Sequence, residues 1–564
     1  MKILNFNTKT IIPVLFVIII LFTSTAQSLD KFDKADRVSD YFSGILLLNE
    51  NRYGESLNFL KKLNGLEKSH LNYSLKYLYS LVNSGNFKEA FSYSKKLERQ
   101  KIDNFESRLI MALFYLKNSE IDLAQKYFLK AKKSNSRFVL NNYVSNSLLY
   151  WSNLDNYDFN QASLNLEKLN KSFENLNKIQ KVFLNCYYND SNTEDSYKEL
   201  VSEKKTDFSR YYYFYASFLS AAGETKKAES TINNALRLYP RNLLLNQSKL
   251  DLQDGESISA FDCKNKGHVI AEILYITANA LSAQSIYPLS NFYLNLAKNL
   301  NEDFHSYDTL LAENFYKTDN LKKAKNIYKN LFNKGKAFKW YASKQLARIY
   351  IKEENKNKAL ELLSDSYNSL ANKNIYEIFD YAEFLKNNEK FIESIPLYGL
   401  IIDKVEKNHP LYAESTDGRG ISYERTNEWD KAEKDLLASL KANPDQAYVI
   451  NYLAYSWIEK GIKIEESLGM LEKANRLRSN DPYITDSLGW ALFKLKRYEE
   501  AKDYLQLAVK LLPGDPIVND HYGDALWKNG KEIQARYYWS YVLGLEKTED
   551  RLKKIVQEKL TKGL

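Results

Sequence analysis

The sequence holds 564 residues, more than one ordinary core accommodates, yet no stretch rich in Pro, Gly and Ser divides it into separate globular domains. Only 9 Pro and 19 Gly interrupt the chain while 43 Tyr and 28 Phe supply bulk, so long helices can run without breakers and an all-helical protein is expected. The formal charge of +9 arises from 80 basic and 71 acidic residues scattered throughout, which argues against a dedicated nucleic-acid surface.

Residues 1–28 read as a secretory signal: Lys2 and Lys9, an apolar run from Ile11 to Phe22 and the small residues Ser24-Thr25-Ala26, with cleavage expected near Ala26–Ser28. A membrane span needs ~20 apolar residues, so an uncleaved inner-membrane anchor is the alternative. No Cys lies near the cut, which disfavours a lipoprotein, and export points to the periplasm. Cys186 and Cys263 are too few to staple a secreted fold. A hairpin from about Tyr211 to Leu238 separates them, and bridged Cα atoms must lie within ~7 Å, so the expectation is that they stay unpaired.

Residues 29–265 read as degenerate helical repeats, with periods starting at Arg37, Leu71, Phe105 and Ser209, and with Ala216, Ala228 and Ala235 at small-residue positions. Between Val139 and Lys205 the spacing slips. Polar residues and Gly from Asp254 to Gly267 suggest a joint between two halves. Residues 266–545 then form a regular array, with repeats beginning near Ala271, His305, Trp340, Ile375, Ala413, Ala447, Pro482 and Pro516. Residues 546–564 are expected to form a polar capping helix, Glu546 to Lys562.

The clearest copy starts at Pro482 and repeats at Pro516. Gly489, Ala501 and Ala508 occupy its eighth, twentieth and twenty-seventh positions, where two helix backbones must approach closely. Leu488, Leu492, Tyr498 and Leu505 fill the space between hairpins, and Pro513-Gly514-Asp515-Pro516 turns the chain into the next unit. A fixed period of this kind marks a stacked solenoid, in which each hairpin leaves an apolar face that its neighbour covers.

These residues resemble the tetratricopeptide repeat family. The likeness holds position by position in the last four copies: Gly420, Tyr423, Ala432 and Pro444, then Leu453, Ala454, Gly461 and Ala474, then the Pro482 copy, then Tyr522, Gly523, Gly530, Ala535 and Trp539. At Val542 the family's small residue is lost, consistent with no further repeat following. The resemblance implies an all-α, TPR-type α-solenoid, a right-handed superhelix of about 11–13 repeats. It also implies a concave wall built from the first helix of each repeat.

On that wall the family's ligand-facing positions correspond to Glu414, Asp417 and Glu424, then Tyr448, Asn451 and Tyr455, then Tyr483, Asp486, Trp490 and Phe493, then Asp520, Asp524 and Trp527. Preceding repeats place Tyr341, Lys344, Arg348, Tyr376, Phe379, Glu383 and Lys386 there. The Lys, Arg and Asn clamp with which co-chaperones of this family grip a terminal carboxylate is missing, whereas acids and rings suit extended segments carrying Lys or Arg between apolar residues. Trp490 and Phe493 have a second reading, as filling of the inner wall against the neighbouring repeat.

No phosphate loop, HExxH, CxxC or Gly-x-Ser-x-Gly signature occurs, and His70, His268, His305, His409 and His521 are scattered. Asp520 and Asp524 share a helix face and could hold a hydrated divalent ion with Asp486, but His521 points about 100° away, and neither a metal nor a cofactor is expected. The expected function is a non-catalytic, exported scaffold that binds envelope proteins or peptides, with no nucleic acid and no membrane span once the signal is removed. The alternative is a regulatory or substrate-holding subunit of an envelope enzyme or secretion complex.

Overall fold

A computed structural model describes residues 35–133, 139–169 and 171–564, and among them every regular element is helical. The expected signal segment lies outside the described residues. Contact density divides the chain into two compact units, one ending at Ser366 and one running from Tyr367 to Leu564.

The second unit is a run of hairpins. Ile375–Asn387 pairs with Phe391–Lys404, Pro410–Arg425 with Trp429–Ala442, Ala447–Glu459 with Ile464–Leu477, Pro482–Lys494 with Tyr498–Leu511, and Pro516–Lys528 with Glu532–Gly544. Each start matches the repeat positions expected from sequence to within a turn. Asp481 and Asp515 cap their helices by accepting from the amides two and three residues on, with Pro at the first helical position.

Small residues set the closeness of each pair. A Cβ on Gly489 would lie 2.6 Å from Leu505 Cγ, and one on Gly523 would lie 2.5 Å from Trp539 Nε1. Ala454, Ala501, Ala508 and Ala535 are fully buried in the same core, which runs without interruption through Leu471, Leu488, Leu505, Trp539 and Val542 to Val556. Gly420 meets Leu436 in like manner, Ala432 is fully buried beside it, and Ala474 lies under Ile450 and Ile484. The terminal helix covers Val542 but begins at Asp550, a turn later than expected, because residues 545–549 are spent on the connection.

Within each hairpin of the second unit the turn takes a left-handed residue: Glu389, Asn427, Gly461 with Lys463, Lys496 and Gly530; in the first unit Asn51, Gly85 and Ser119 recur at a 34-residue step. At Lys496 the flanking amides bond back to the closing helix, Lys496 N to Phe493 O at 2.9 Å and Arg497 N to Leu492 O at 2.9 Å, which satisfies carbonyls the helix end would otherwise leave bare. Only some copies carry Gly there, so the turn signal was partial in the sequence.

The first unit departs from a simple stack. Its early helices pack laterally on much later ones: Leu71–Asn83 on Tyr287–Leu300, Val139–Ser152 on Lys266–Ala283, and Leu243–Gln253 on Lys336–Lys352. Buried amides also tie Asn51 and Tyr53 to Tyr287–Leu300. Asn291 Nδ2 donates to Asn51 Oδ1 (3.1 Å) and Tyr53 Oη (2.7 Å), and Asn314 Nδ2 donates to Asn291 Oδ1 (2.8 Å). Nearby, Arg210 forks onto fully buried Glu272 at 2.7 and 2.8 Å and lies 3.8 Å from the Tyr275 ring centroid.

The segment 254–267, expected as a joint, is packed inside this unit, and the division of the chain falls after Ser366 instead. Ser217 Oγ donates to the carbonyls of Ile258 and Phe261, Asn301 Nδ2 donates to Ala260 O, and Phe261 is buried against Phe183 and Phe214. Cys186 and Cys263 form a disulfide across this segment, with Cα atoms 6.0 Å apart, against the expectation that they stay unpaired. The intervening hairpin does not hold them apart, because the chain returns past the end of Glu174–Tyr187 on leaving Leu243–Gln253.

Two outcomes follow. Closing a loop with a sequence separation of 77 residues should stabilise the first unit by about 4 kcal/mol in the chain-entropy limit. The Cys186→Ser/Cys263→Ser variant should therefore unfold at markedly lower denaturant, and non-reducing peptide mapping of the wild type should recover the bridged pair. Lys496→Gly, which relieves a left-handed Lys, should raise stability by about 0.5–1 kcal/mol in thermal melts.

Candidate peptide groove

The inner wall of the second unit is made by the first helices of successive hairpins, which touch one another directly: Ile375–Asn387 against Pro410–Arg425, Ala447–Glu459 against Pro482–Lys494, and the last of these against Pro516–Lys528. The fifth positions of four of them, Asp417, Asn451, Asp486 and Asp520, fall in equivalent places. The structure gives the two ends of that series different surroundings.

At the end nearer Tyr367, Asp417 Oδ1 and Asn451 Oδ1 are both buried and meet no protein donor. An unmet acceptor costs free energy, about 1–3 kcal/mol in folded proteins, so each calls for a donor. Burial pushes the Asp417 carboxyl up to about 6, with Glu383 and Glu414 adding to the rise and Lys386 opposing it. Lys386 Nζ is engaged by Glu383 at 2.8 Å, and Tyr398 Oη also donates to Glu383. Tyr455 is partly buried, and burial, reinforced by Glu459 and Asp486, holds its hydroxyl well above the usual range. Tyr483 is 55% exposed. Tyr448 is half exposed but tied down, donating to Asp481 Oδ2 (3.0 Å) and accepting from Arg478 Nη1 (2.7 Å).

The other end is filled. Trp490 is only 7% exposed: its indole donates to Glu459 Oε1 at 2.8 Å, and its ring stacks on Phe493 (4.8 Å between centroids) and on His521 (3.9 Å). These rings fill the wall between repeats and are not open ligand platforms. Asp486 holds His521 Nδ1 at 3.0 and 3.1 Å. Burial works against charge on that imidazole, but contact with Asp486, aided by Asp520 and Asp524, outweighs it and raises its pKa. His521 thus faces the acid of the preceding repeat, a partner that reasoning within one helix misses.

Asp520 and Asp524 are bridged by a residue to which the sequence reading assigned no role. Lys559 Nζ, from the terminal helix, donates to both oxygens of each at 2.7–2.8 Å. Trp539 Nε1 donates to Asp524 Oδ1 as well (3.0 Å). Burial and the adjacent Asp520 still push Asp524 up to about 6 despite Lys559. Trp527 lies beside Trp539 under the Arg536 guanidinium, and its ring abuts Gly563. Among the described residues no group of three or more His, Cys, Asp or Glu is arranged to hold a metal ion. The one sequence signal for Lys559 was its helical register with Val556, three residues earlier on the buried face.

The family model for the tetratricopeptide repeat matches residues 485–515, which take in most of the clearest hairpin and the turn after it. The chain carries a tetratricopeptide repeat at these residues. A "TPR repeat-containing protein" of Pseudomonas aeruginosa is 30% identical over 120 residues, which is 21% of this chain and 20% of that protein. The chain thus matches about one fifth of that relative's length. Among solved tetratricopeptide structures, MamA of Desulfovibrio magneticus RS-1 aligns with 32% of this chain and 99% of its own, at 17% identity and a TM-score of 0.28. YrrB, described as a TPR protein with an unusual peptide-binding site, aligns with 33% and 92% at 14% identity and a TM-score of 0.27.

The raised pKa of Asp417 has a definite consequence for stability. The folded protein holds that proton up to about pH 6, whereas an unfolded aspartate releases it near ~3.9. The contribution of this group is therefore favourable below about pH 4 and lost as pH rises through about 6. Asp417→Asn should be near neutral at pH 4 and stabilising at pH 7 by on the order of 2 kcal/mol, as read from urea unfolding at the two pH values.

Proposed function

We propose that this chain is a non-catalytic interaction scaffold of the bacterial cell envelope that holds extended polypeptide segments along the inner wall of its second unit. The observation that carries the reading is the pair of buried, unmet acceptors, Asp417 Oδ1 and Asn451 Oδ1, at equivalent positions of neighbouring repeats. A ligand lying along the wall would meet them with backbone amides, or with the ammonium or guanidinium groups of basic side chains, in a wall that excludes competing water. Tyr483 offers an exposed ring for apolar side chains of the same segment. The acidic character of Asp417, Glu383 and Glu414 selects Lys and Arg over Asp and Glu.

Export is supported by two independent features. The apolar run Ile11–Phe22, with basic residues before it and small residues after it, has the form of a secretory signal. The Cys186–Cys263 disulfide belongs to an oxidising compartment such as the periplasm.

A synthetic extended peptide alternating Lys with Leu or Phe should bind the full chain with an affinity that falls as salt rises. Asn451→Leu, which keeps side-chain volume but removes the acceptor, and Asp417→Asn should each weaken binding roughly tenfold by fluorescence anisotropy. Unchanged affinity in both variants, or salt-independent binding, would count against the groove reading.

A further inference from the structure

Lys559 occupies its site as a ligand's lysine would. The ammonium reaches four carboxylate oxygens of Asp520 and Asp524 at 2.7–2.8 Å, and the three side chains are 12%, 9% and 4% exposed. The chain then runs on against the wall. Gly563, in a left-handed conformation, lies so close to Trp527 that a Cβ would fall 2.1 Å from the ring, and Lys528 Nζ donates to Leu564 O at 3.3 Å. Asp520, Asp524, Trp527 and Lys528 are thus all met by residues 559–564, in the order ammonium, small residue against the indole, main-chain carbonyl.

We propose that Lys559–Leu564 is a resident ligand in cis, which closes the Asp520–Asp524–Trp527 end of the groove against segments carrying a lysine with a glycine four residues on. The inference rests on the groove reading above and adds to it a second, occupied subsite and its specificity. Release does not require the terminal helix to leave. Val556 anchors that helix in the core, and Leu552 packs there too, whereas Lys559 lies in the last turn, where helices fray at little cost. When the ammonium withdraws, Asp524 keeps its bond from Trp539 Nε1. The specificity comes from geometry. Two buried carboxylates side by side require a cation, and the contact of Gly563 with Trp527 leaves no room for a side chain four residues after that cation. Because the tail is tethered, its high local concentration outcompetes a free segment of equal intrinsic affinity.

The test uses a labelled nonapeptide of the chain's own tail, residues 556–564, titrated into the full-length protein by fluorescence anisotropy. K559A should bind it at least tenfold more tightly than wild type, and D520N with D524N in the K559A background should erase that gain. A peptide with Ala in place of its Lys at 559 should show no gain. K559M, which keeps the aliphatic stem, replaces K559A should circular dichroism show K559A misfolded. Equal binding of the tail peptide by wild type and both Lys559 variants, with the groove still binding the Lys–Leu/Phe peptide in a manner sensitive to Asn451→Leu, would overturn this inference alone. Failure of every protein to bind either peptide would overturn it together with the groove reading.

Discussion

The structure depends on how closely the two helices of a hairpin can approach. Where Gly489 faces Leu505 and Gly523 faces Trp539, the space that a Cβ would take is already filled by the partner's side chain. That contact fixes the spacing of each pair and, through it, the offset to the next. Leu488, Leu505, Trp539 and Val542 can then join one continuous core. Stability in such a stack comes from nearest neighbours. A bulky residue at Gly489 or Gly523 would push a first helix off its partner and so displace that helix in the inner wall.

The wall inherits polar groups that this packing does not satisfy. Burial raises the cost of every unmatched acceptor and charge, and the two ends meet the cost differently. Toward the C-terminus the chain supplies its own partners, His521 for Asp486 and Lys559 for Asp520 and Asp524. Toward Asp417 and Asn451 it supplies none. The contrast separates the two ends more sharply than residue type does, since acids and rings occur along the whole wall. In the first unit Arg210, Glu272, Asn51, Asn291 and Asn314 are matched internally, as befits polar groups that fasten distant helices to one another.

Much of this was legible in the residues. Period, Gly and Ala placement and Asp-Pro starts put helices at Ile375, Ala447, Pro482 and Pro516, where the structure has them, because these signals act locally. What escaped was non-local. The disulfide and the lateral closures of the first unit bring together segments far apart in sequence, and no periodicity encodes the return of a chain. Trp490 and Phe493 were open to two readings. Only the position of His521 on the next repeat decides that they fill the wall. Lys559 was one of many lysines in a polar helix, and its role depends on where that helix docks.

The central claim is that the second unit receives ligands along Pro410–Arg425 and Ala447–Glu459. Hydrogen–deuterium exchange of the full chain, with and without a saturating Lys–Leu/Phe peptide, tests it most directly. The account predicts slowed exchange in those two helices and in the turns that lead into them. Protection confined to the outer helices Trp429–Ala442 and Ile464–Leu477, or to the first unit, would contradict it.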